Sequence, residues 1–211
     1  MHPLICTHCG EWDGVPDTGG GEHLLRCSSC GLTRPFLRLP LLCVTGPSGT
    51  GKSTVARKLL DRLGERFVVL EQDLLWVGGL RDPAEEHRLF RSTWLRTAAM
   101  VQQSGRPVVL CGTVAPPELE PLPERALFSG IHYLALTCDP GVLAGRLRAR
   151  PAWRGWDEAR VAETLEHQEW LVTEAGRLRP PVTLLDTTEA GPGETAAAIH
   201  RWVDATAGPA D

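Results

Sequence analysis

The chain has 211 residues, 42% of them hydrophobic and 23% charged, a balance that fits one sizeable α/β body with a small appendage. Lys and Arg total 22 against 26 Asp and Glu, a formal net charge of −4, which argues against a protein that coats nucleic acid along its whole length. No apolar run reaches the roughly 18 residues that span a bilayer, and "MHPLICTHCGEW" has neither the charged start nor the apolar stretch of a signal peptide, so a cytoplasmic protein is expected.

Residues 1–36 differ from the rest. They carry "CTHCG" and "CSSCG", two C-x-x-C-G knuckles with seventeen residues between Cys9 and Cys27, and a Gly-rich tip, "DTGGGEH". Four thiolates at this spacing, Cys6, Cys9, Cys27 and Cys30, predict a tetrahedral Zn²⁺ site, with Gly10 and Gly31 turning the backbone beneath the metal. Two disulfides are the alternative, disfavoured in a cytoplasmic protein. A segment this small cannot fold on apolar burial alone, so the metal would supply its stability. His8 and His23 are spare ligands. Arg26, Arg34 and Arg38 stand against Glu11, Asp13, Asp17 and Glu22, without a basic stripe, and a structural or protein-contact role is expected. The short linker "LTRPFLRLP" predicts a ribbon docked on the body at 37–211.

From residue 39 strands and helices alternate. Apolar runs at 39–45, 66–71, 106–111, 131–137 and 181–186 read as parallel strands buried on both faces; Cys43, Cys111 and Cys138 read as buried, reduced hydrophobes within or beside these runs. Helical patterns lie at 52–64, 83–104, 141–150, 157–178 and 193–205, which together give a doubly wound parallel sheet. The Pro-rich segment 112–130 is expected to be irregular and, at a strand's carboxyl end, to border a ligand.

"TGPSGTGKST" follows the first of these strands and opens the first helix. Gly46 to Ser53 satisfy G-x-x-x-x-G-K-[ST] at every fixed position. Gly46, Ser48, Gly49, Thr50, Gly51 and Thr54 are therefore expected around a nucleotide's phosphates, with Lys52 reaching the β and γ groups and Ser53 offering its hydroxyl to Mg²⁺. ATP and Mg²⁺ are the implied ligands. The loop alone leaves the reaction open.

The next strand ends "VVLEQDLLW". Glu71 and Asp73 at i, i+2 share a face at the carboxyl end of a strand, which suits Asp73 to orient an acceptor hydroxyl and take its proton, with Glu71 nearer the metal. After the fourth strand, "DPGVLAGRLRARPAWRGW" places Arg146 and Arg150 on one helix face, as a lid over a triphosphate would require; Arg148 and Arg154 flank them. Between the second and third strands, Trp76, Arg81, Arg91 and Trp94 are available to an acceptor, Arg91 for an anionic one; core packing is an equal reading for Trp94. Thr113, after the third strand, is a further candidate.

In this order the elements resemble the nucleoside-monophosphate-kinase-like superfamily, in particular its shikimate, gluconate and chloramphenicol phosphotransferase types, over residues 39 to 205. The resemblance implies a five-stranded sheet in the order 2-3-1-4-5, Asp73 on the acceptor hydroxyl, Arg146 on the adenine and Arg150 near the phosphates. It also implies an adenine pocket at "LLDTTEAG", with Asp186 and Thr187 as candidates. The third strand, "VVLCGT", departs from the pattern of motor ATPases and GTPases, since it ends without an acid for the metal; nor is there an N-K-x-D guanine signature. The expected activity is an ATP-dependent kinase acting on a hydroxyl of a small molecule, a nucleoside or nucleotide before an antibiotic or sugar acid. Alternatives are a nucleic-acid-directed protein (an end kinase or ATPase gripping its target with the ribbon) and a nucleotide sensor without turnover.

Overall fold

The computed structural model describes residues 2–12 and 23–208. The Gly-rich tip at 17–22, with Asp13, Asp17 and Glu22, lies outside the described residues. The chain opens with a hairpin of β1 (Leu24–Arg26) and β2 (Thr33–Pro35). The body then runs β3 (Leu41–Thr45), α1 (Lys52–Leu63), β4 (Val68–Glu71), α2 (Arg88–Gln102), β5 (Val108–Cys111) and α3 (Pro116–Leu119). It continues with β6 (Ile131–Thr137), α4 (Pro140–Arg148), α5 (Glu158–Glu174), β7 (Val182–Asp186) and α6 (Pro192–Ala207).

Strands β3 to β7 form one parallel sheet in the order β4-β5-β3-β6-β7, which is 2-3-1-4-5 when counted within the body. β3 lies at its centre and every one of its five residues is buried. Alternate side chains go to opposite layers, as a strand's two-residue period dictates. Leu41 and Cys43 join Phe90, Trp94 and Leu95 of α2; Leu42 and Val44 join Val55 and Leu59 of α1 and Ile199 of α6. Burial of each such side chain stabilises by about 1.5–3 kcal/mol, so the phosphate loop hangs from a central strand that is buried throughout.

Two expectations change. The helix predicted from Pro83 begins at Arg88, because Glu86 and His87 take left-handed backbone angles (φ 50° and 62°) through which a right-handed helix cannot run. Pro83–Glu85 form a separate 3₁₀ turn. The segment 112–130 is not wholly irregular: it folds into α3 and a 3₁₀ turn at Pro123–Leu127, each opened by proline, with the Glu118 carboxylate accepting from the Ala115 N–H at 2.6 Å.

The ribbon packs on the body. Leu4, Leu25 and Phe36 are buried in the same apolar layer as α2. Gln103 exchanges two hydrogen bonds with the backbone of Leu37, both 3.0 Å, and the Arg38 guanidinium donates to the carbonyls of Ala126 and Phe128.

Candidate active site

The carboxyl ends of β3, β4 and β5 open into a cleft of about 980 Å³, large enough for a nucleotide and a small second ligand together. Its floor is the phosphate loop. At Gly46 the backbone turns at φ 122°, and a Cβ there would stand 2.2 Å from the Leu136 carbonyl oxygen, so only glycine lets β3 turn beside β6. Gly46 shapes the loop from beneath, while Ser48, Gly49, Thr50, Gly51, Lys52, Ser53 and Thr54 line the cleft. The buried Thr50 hydroxyl donates to the Pro47 carbonyl at 2.9 Å and braces the turn. Lys52 opens α1, and its ammonium donates to the carbonyls of Gly46 and Pro47 at 2.6 and 2.9 Å. Burial pulls its pKa down to about 8, against the opposing pull of Asp73.

Glu71 is the last residue of β4 and its Cα pairs with that of Cys111 on β5. An acid thus stands level with the end of β5, the strand that lacks one of its own. Asp73 lies one residue into the 3₁₀ turn Gln72–Leu75 rather than on the strand, and both carboxylates line the cleft. Asp73 is the charge that most favours the Lys52 ammonium, and it also favours the charged form of Arg150. Ser53, Glu71 and Asp73 are all oxygen donors, a set that suits Mg²⁺.

The opposite wall comes from α4, the residues after it and α5. Arg146 and Arg150 both line the cleft, whereas Arg148 points away into an exposed ion pair with Glu158 at 2.6 Å. The Arg146 guanidinium donates to the Thr187 carbonyl at 3.1 Å. Thr187 is in turn fixed through its N–H and hydroxyl to the Thr137 carbonyl, which ties this wall to the sheet. Two guanidiniums approach the Trp156 ring, Arg160 at 4.3 Å and Arg150 at 5.1 Å from its centre, and Arg154 sits over the exposed Trp153. Asp186, expected in the adenine pocket, does not line the cleft: it accepts from the backbone and side chain of Thr188, which holds its carboxyl below the usual range.

On the acceptor side the expected residues separate. Trp76 and Arg91 line the cleft, as does Thr113, whose hydroxyl donates to the Gly46 carbonyl at 3.3 Å. Trp94 does not. It is 1% exposed in the core, and its indole N–H donates to the Gln72 carbonyl at 3.1 Å, so its role is to seat the turn that carries Asp73. Arg81 lies over the Trp76 ring. Arg91 already holds Glu118. Gln72, His87, Phe90, Glu118, Trp153, Trp156 and Arg160 also line the cleft and were not singled out from the sequence. The two tryptophans stand beside the lid arginines, a signal that could have found them. Glu118 sits in a Pro-rich stretch whose course had no periodic pattern.

At the ribbon, the four cysteine sulfurs lie within 4.8 Å of one another, with Cys6–Cys30 at 3.7 Å and Cys9–Cys27 at 3.8 Å. Thiolates about 2.3 Å from a tetrahedral zinc stand roughly 3.8 Å apart, whereas a disulfide holds its sulfurs at about 2.05 Å. The four are compatible with zinc and are not bonded in pairs. Both knuckles repeat one geometry: Gly10 and Gly31 have φ 74° and return their N–H groups to the carbonyls of Cys6 and Cys27.

Residues 42–168, more than half of the chain, match the family described as an AAA domain. The chain belongs to this family. Among curated relatives, a Lon protease of Flavobacterium johnsoniae is 39% identical over 52 residues, 25% of this chain but only 6% of the protease; the likeness is thus local. A protein of Archaeoglobus fulgidus assigned as an adenylate kinase is 28% identical over 174 residues, 76% of this chain and 80% of its own. Among solved structures, a sugar kinase from Janibacter sp. HTCC2649 superposes with a TM-score of 0.58 at 18% identity, over 79% of this chain and 95% of its own. A gluconokinase from Sinorhizobium meliloti does so at 0.52 and 22%, over 81% and 95%. This AAA domain therefore has the five-stranded P-loop fold of small-molecule kinases, preceded by a cysteine knuckle pair. No helix among the described residues is long and apolar enough to cross a membrane.

Proposed function

We propose that the protein is an ATP- and Mg²⁺-dependent kinase that transfers the γ-phosphate to a hydroxyl of a small molecule, a nucleoside or nucleotide first among acceptor classes. The observation that carries this reading is the position of Asp73 in one cleft with the phosphate loop, within electrostatic reach of both Lys52 and Arg150. A carboxylate there can orient the attacking hydroxyl and take its proton, while the two cations neutralise the group in flight. Ser53, with Glu71 behind it, would hold Mg²⁺, which would supply positive charge to offset that of the phosphates. Arg146 and Thr187 would border the base, and Trp76 with Thr113 the acceptor. The ribbon (1–36) would act as a zinc-stabilised brace on the kinase body (37–211).

The reading is tested by ATP consumption over a panel of nucleosides, nucleotides, sugars, sugar acids and aminocyclitols, with Asp73→Asn alongside wild type. Turnover is expected to fall by about 10²–10⁴ in the variant with ATP affinity nearly unchanged. An acceptor phosphorylated equally well by both proteins would remove Asp73 from the mechanism.

The alternative is a nucleic-acid-directed protein that grips its target with the ribbon. Arg34 of the ribbon donates inward to the Pro3 carbonyl, and Arg38, just after the ribbon, to the carbonyls of Ala126 and Phe128. Salt-dependent oligonucleotide binding, lost in Cys27→Ser, would restore that reading.

A further inference from the structure

The acceptor lobe has a definite charge character, set by a pair that spans two elements. Arg91, on the first turn of α2, is the cation best placed to receive an acidic acceptor. Both of its terminal nitrogens are already engaged: Nη1 donates to the Glu86 carbonyl and Nη2 to the Glu118 carboxylate. Glu118 cannot readily swing aside to release it, because its other oxygen accepts the Ala115 N–H at 2.6 Å and so caps α3. The pair is mostly shielded, with the Arg91 side chain 16% and the Glu118 side chain 30% exposed. Around it the lobe offers Glu71 and Asp73, both acidic, and an aromatic shelf in which Trp76 meets Phe90 edge-on at 4.9 Å and His87 at 4.8 Å. His87 is held there by its left-handed backbone, with a buried Nδ1 that has no partner. The remaining arginines that line the cleft, Arg146, Arg150, Arg154 and Arg160, come from α4, the residues after it and α5, which cover the phosphate-transfer side.

We infer that the acceptor is an uncharged, ring-bearing hydroxyl compound, and that the Arg91–Glu118 pair is the specificity device that turns away carboxylate- and phosphate-bearing analogues. Within the kinase reading on which this inference rests, it selects nucleosides over nucleotides and neutral sugars or polyols over sugar acids. A ring lies on the Trp76–Phe90 shelf and a neutral polar group meets His87. An anionic group would face two carboxylates, with Arg91, the acceptor-side arginine that lines the cleft, already neutralised.

The test uses matched acceptors that differ by one anionic group: nucleosides against their 5′-monophosphates, and aldoses or polyols against the corresponding acids, with kcat/KM measured at saturating ATP–Mg²⁺. The uncharged member is expected to be preferred by at least tenfold in every pair that reacts. In Glu118→Gln, which keeps an acceptor for the Ala115 N–H but frees the guanidinium, kcat/KM for the anionic members is expected to rise at least tenfold, mainly through KM. In Arg91→Gln/Glu118→Gln that gain is expected to vanish. A residue that only holds α3 in place would lower both members alike, and thermal melting identifies a variant that fails to fold. Anionic members preferred by wild type would overturn the inference and leave the kinase reading intact. ATP binding with no turnover of any acceptor would overturn the kinase reading and this inference with it.

Discussion

At the level of single residues, Lys52 has the most exposed consequence. Its ammonium is held at about pKa 8 before nucleotide arrives, because burial penalises the charge more than Asp73 rewards it. A triphosphate beside it favours the charged form and raises that value on binding. The sign follows: affinity for ATP is full below about pH 8 and falls as pH rises beyond it, with proton uptake accompanying binding in that range. Calorimetry at pH 7 and pH 9 in buffers of different ionisation enthalpy checks it; affinity that is flat across the range in wild type, or equally pH-dependent in Lys52→Met, would count against it. Trp94 makes the opposite kind of prediction. Buried at 1% exposure, Trp94→Ala should cost about 3–5 kcal/mol of stability, and a melting curve should show a fall of roughly 6–20 °C. Trp94→Phe should keep the acceptor KM nearly unchanged, which a recognition residue would not allow.

At the level of elements, the clearest prediction concerns the cysteine knuckles. If zinc holds them, a chelator strong enough to strip it should release Leu4, Leu25 and Phe36 from the layer they share with α2. Losing that burial costs about 1.5–3 kcal/mol per side chain, so the melting temperature should drop by at least about 10 °C, with one zinc released per chain. Melting unaltered after quantitative metal removal would mean the ribbon holds itself. Elements were also where the sequence was most and least informative. β3, β5 and β6 read clearly, because a parallel strand covered on both faces is a nearly unbroken apolar run, as Leu41–Thr45 is. β4 and β7 were also legible but, as edge strands, are only partly covered and depart from the expected burial on both faces. The start of α2 did not. Nothing in "PAEEHR" opposes a helix by propensity, yet Glu86 and His87 take left-handed angles, with His87 lining the cleft against Trp76, a tertiary setting that propensity does not encode. The phosphate loop was legible in full because its chemistry requires fixed residues at fixed spacing. Arg91 was visible as a cation, but its neutralisation by Glu118, 27 residues away, depends on how α3 folds against α2.

At the level of the whole molecule, the ribbon and the body share one apolar layer rather than meeting across a polar seam. His2 bonds the Arg96 side chain at 2.8 Å, and Arg96 faces the buried Glu124 of the body, so polar contacts reinforce the same junction. A chain begun at residue 37 should therefore express poorly or melt markedly below the full-length protein, although every residue expected around ATP is retained. Equal melting temperatures for the two would show that the junction contributes nothing.

The order of synthesis gives that shared layer a further meaning. The knuckles leave the ribosome before the body, yet the linker that follows them is held by groups made later: the carbonyls that receive Arg38 belong to Ala126 and Phe128, and the side chain that clasps Leu37 is Gln103. During translation the hairpin must keep its shape with one greasy side uncovered until α2 and the Pro123–Leu127 turn arrive. Early metal capture by the four cysteines, all made before the body, would let a fragment too small to fold on its own wait for the surface it is meant to meet.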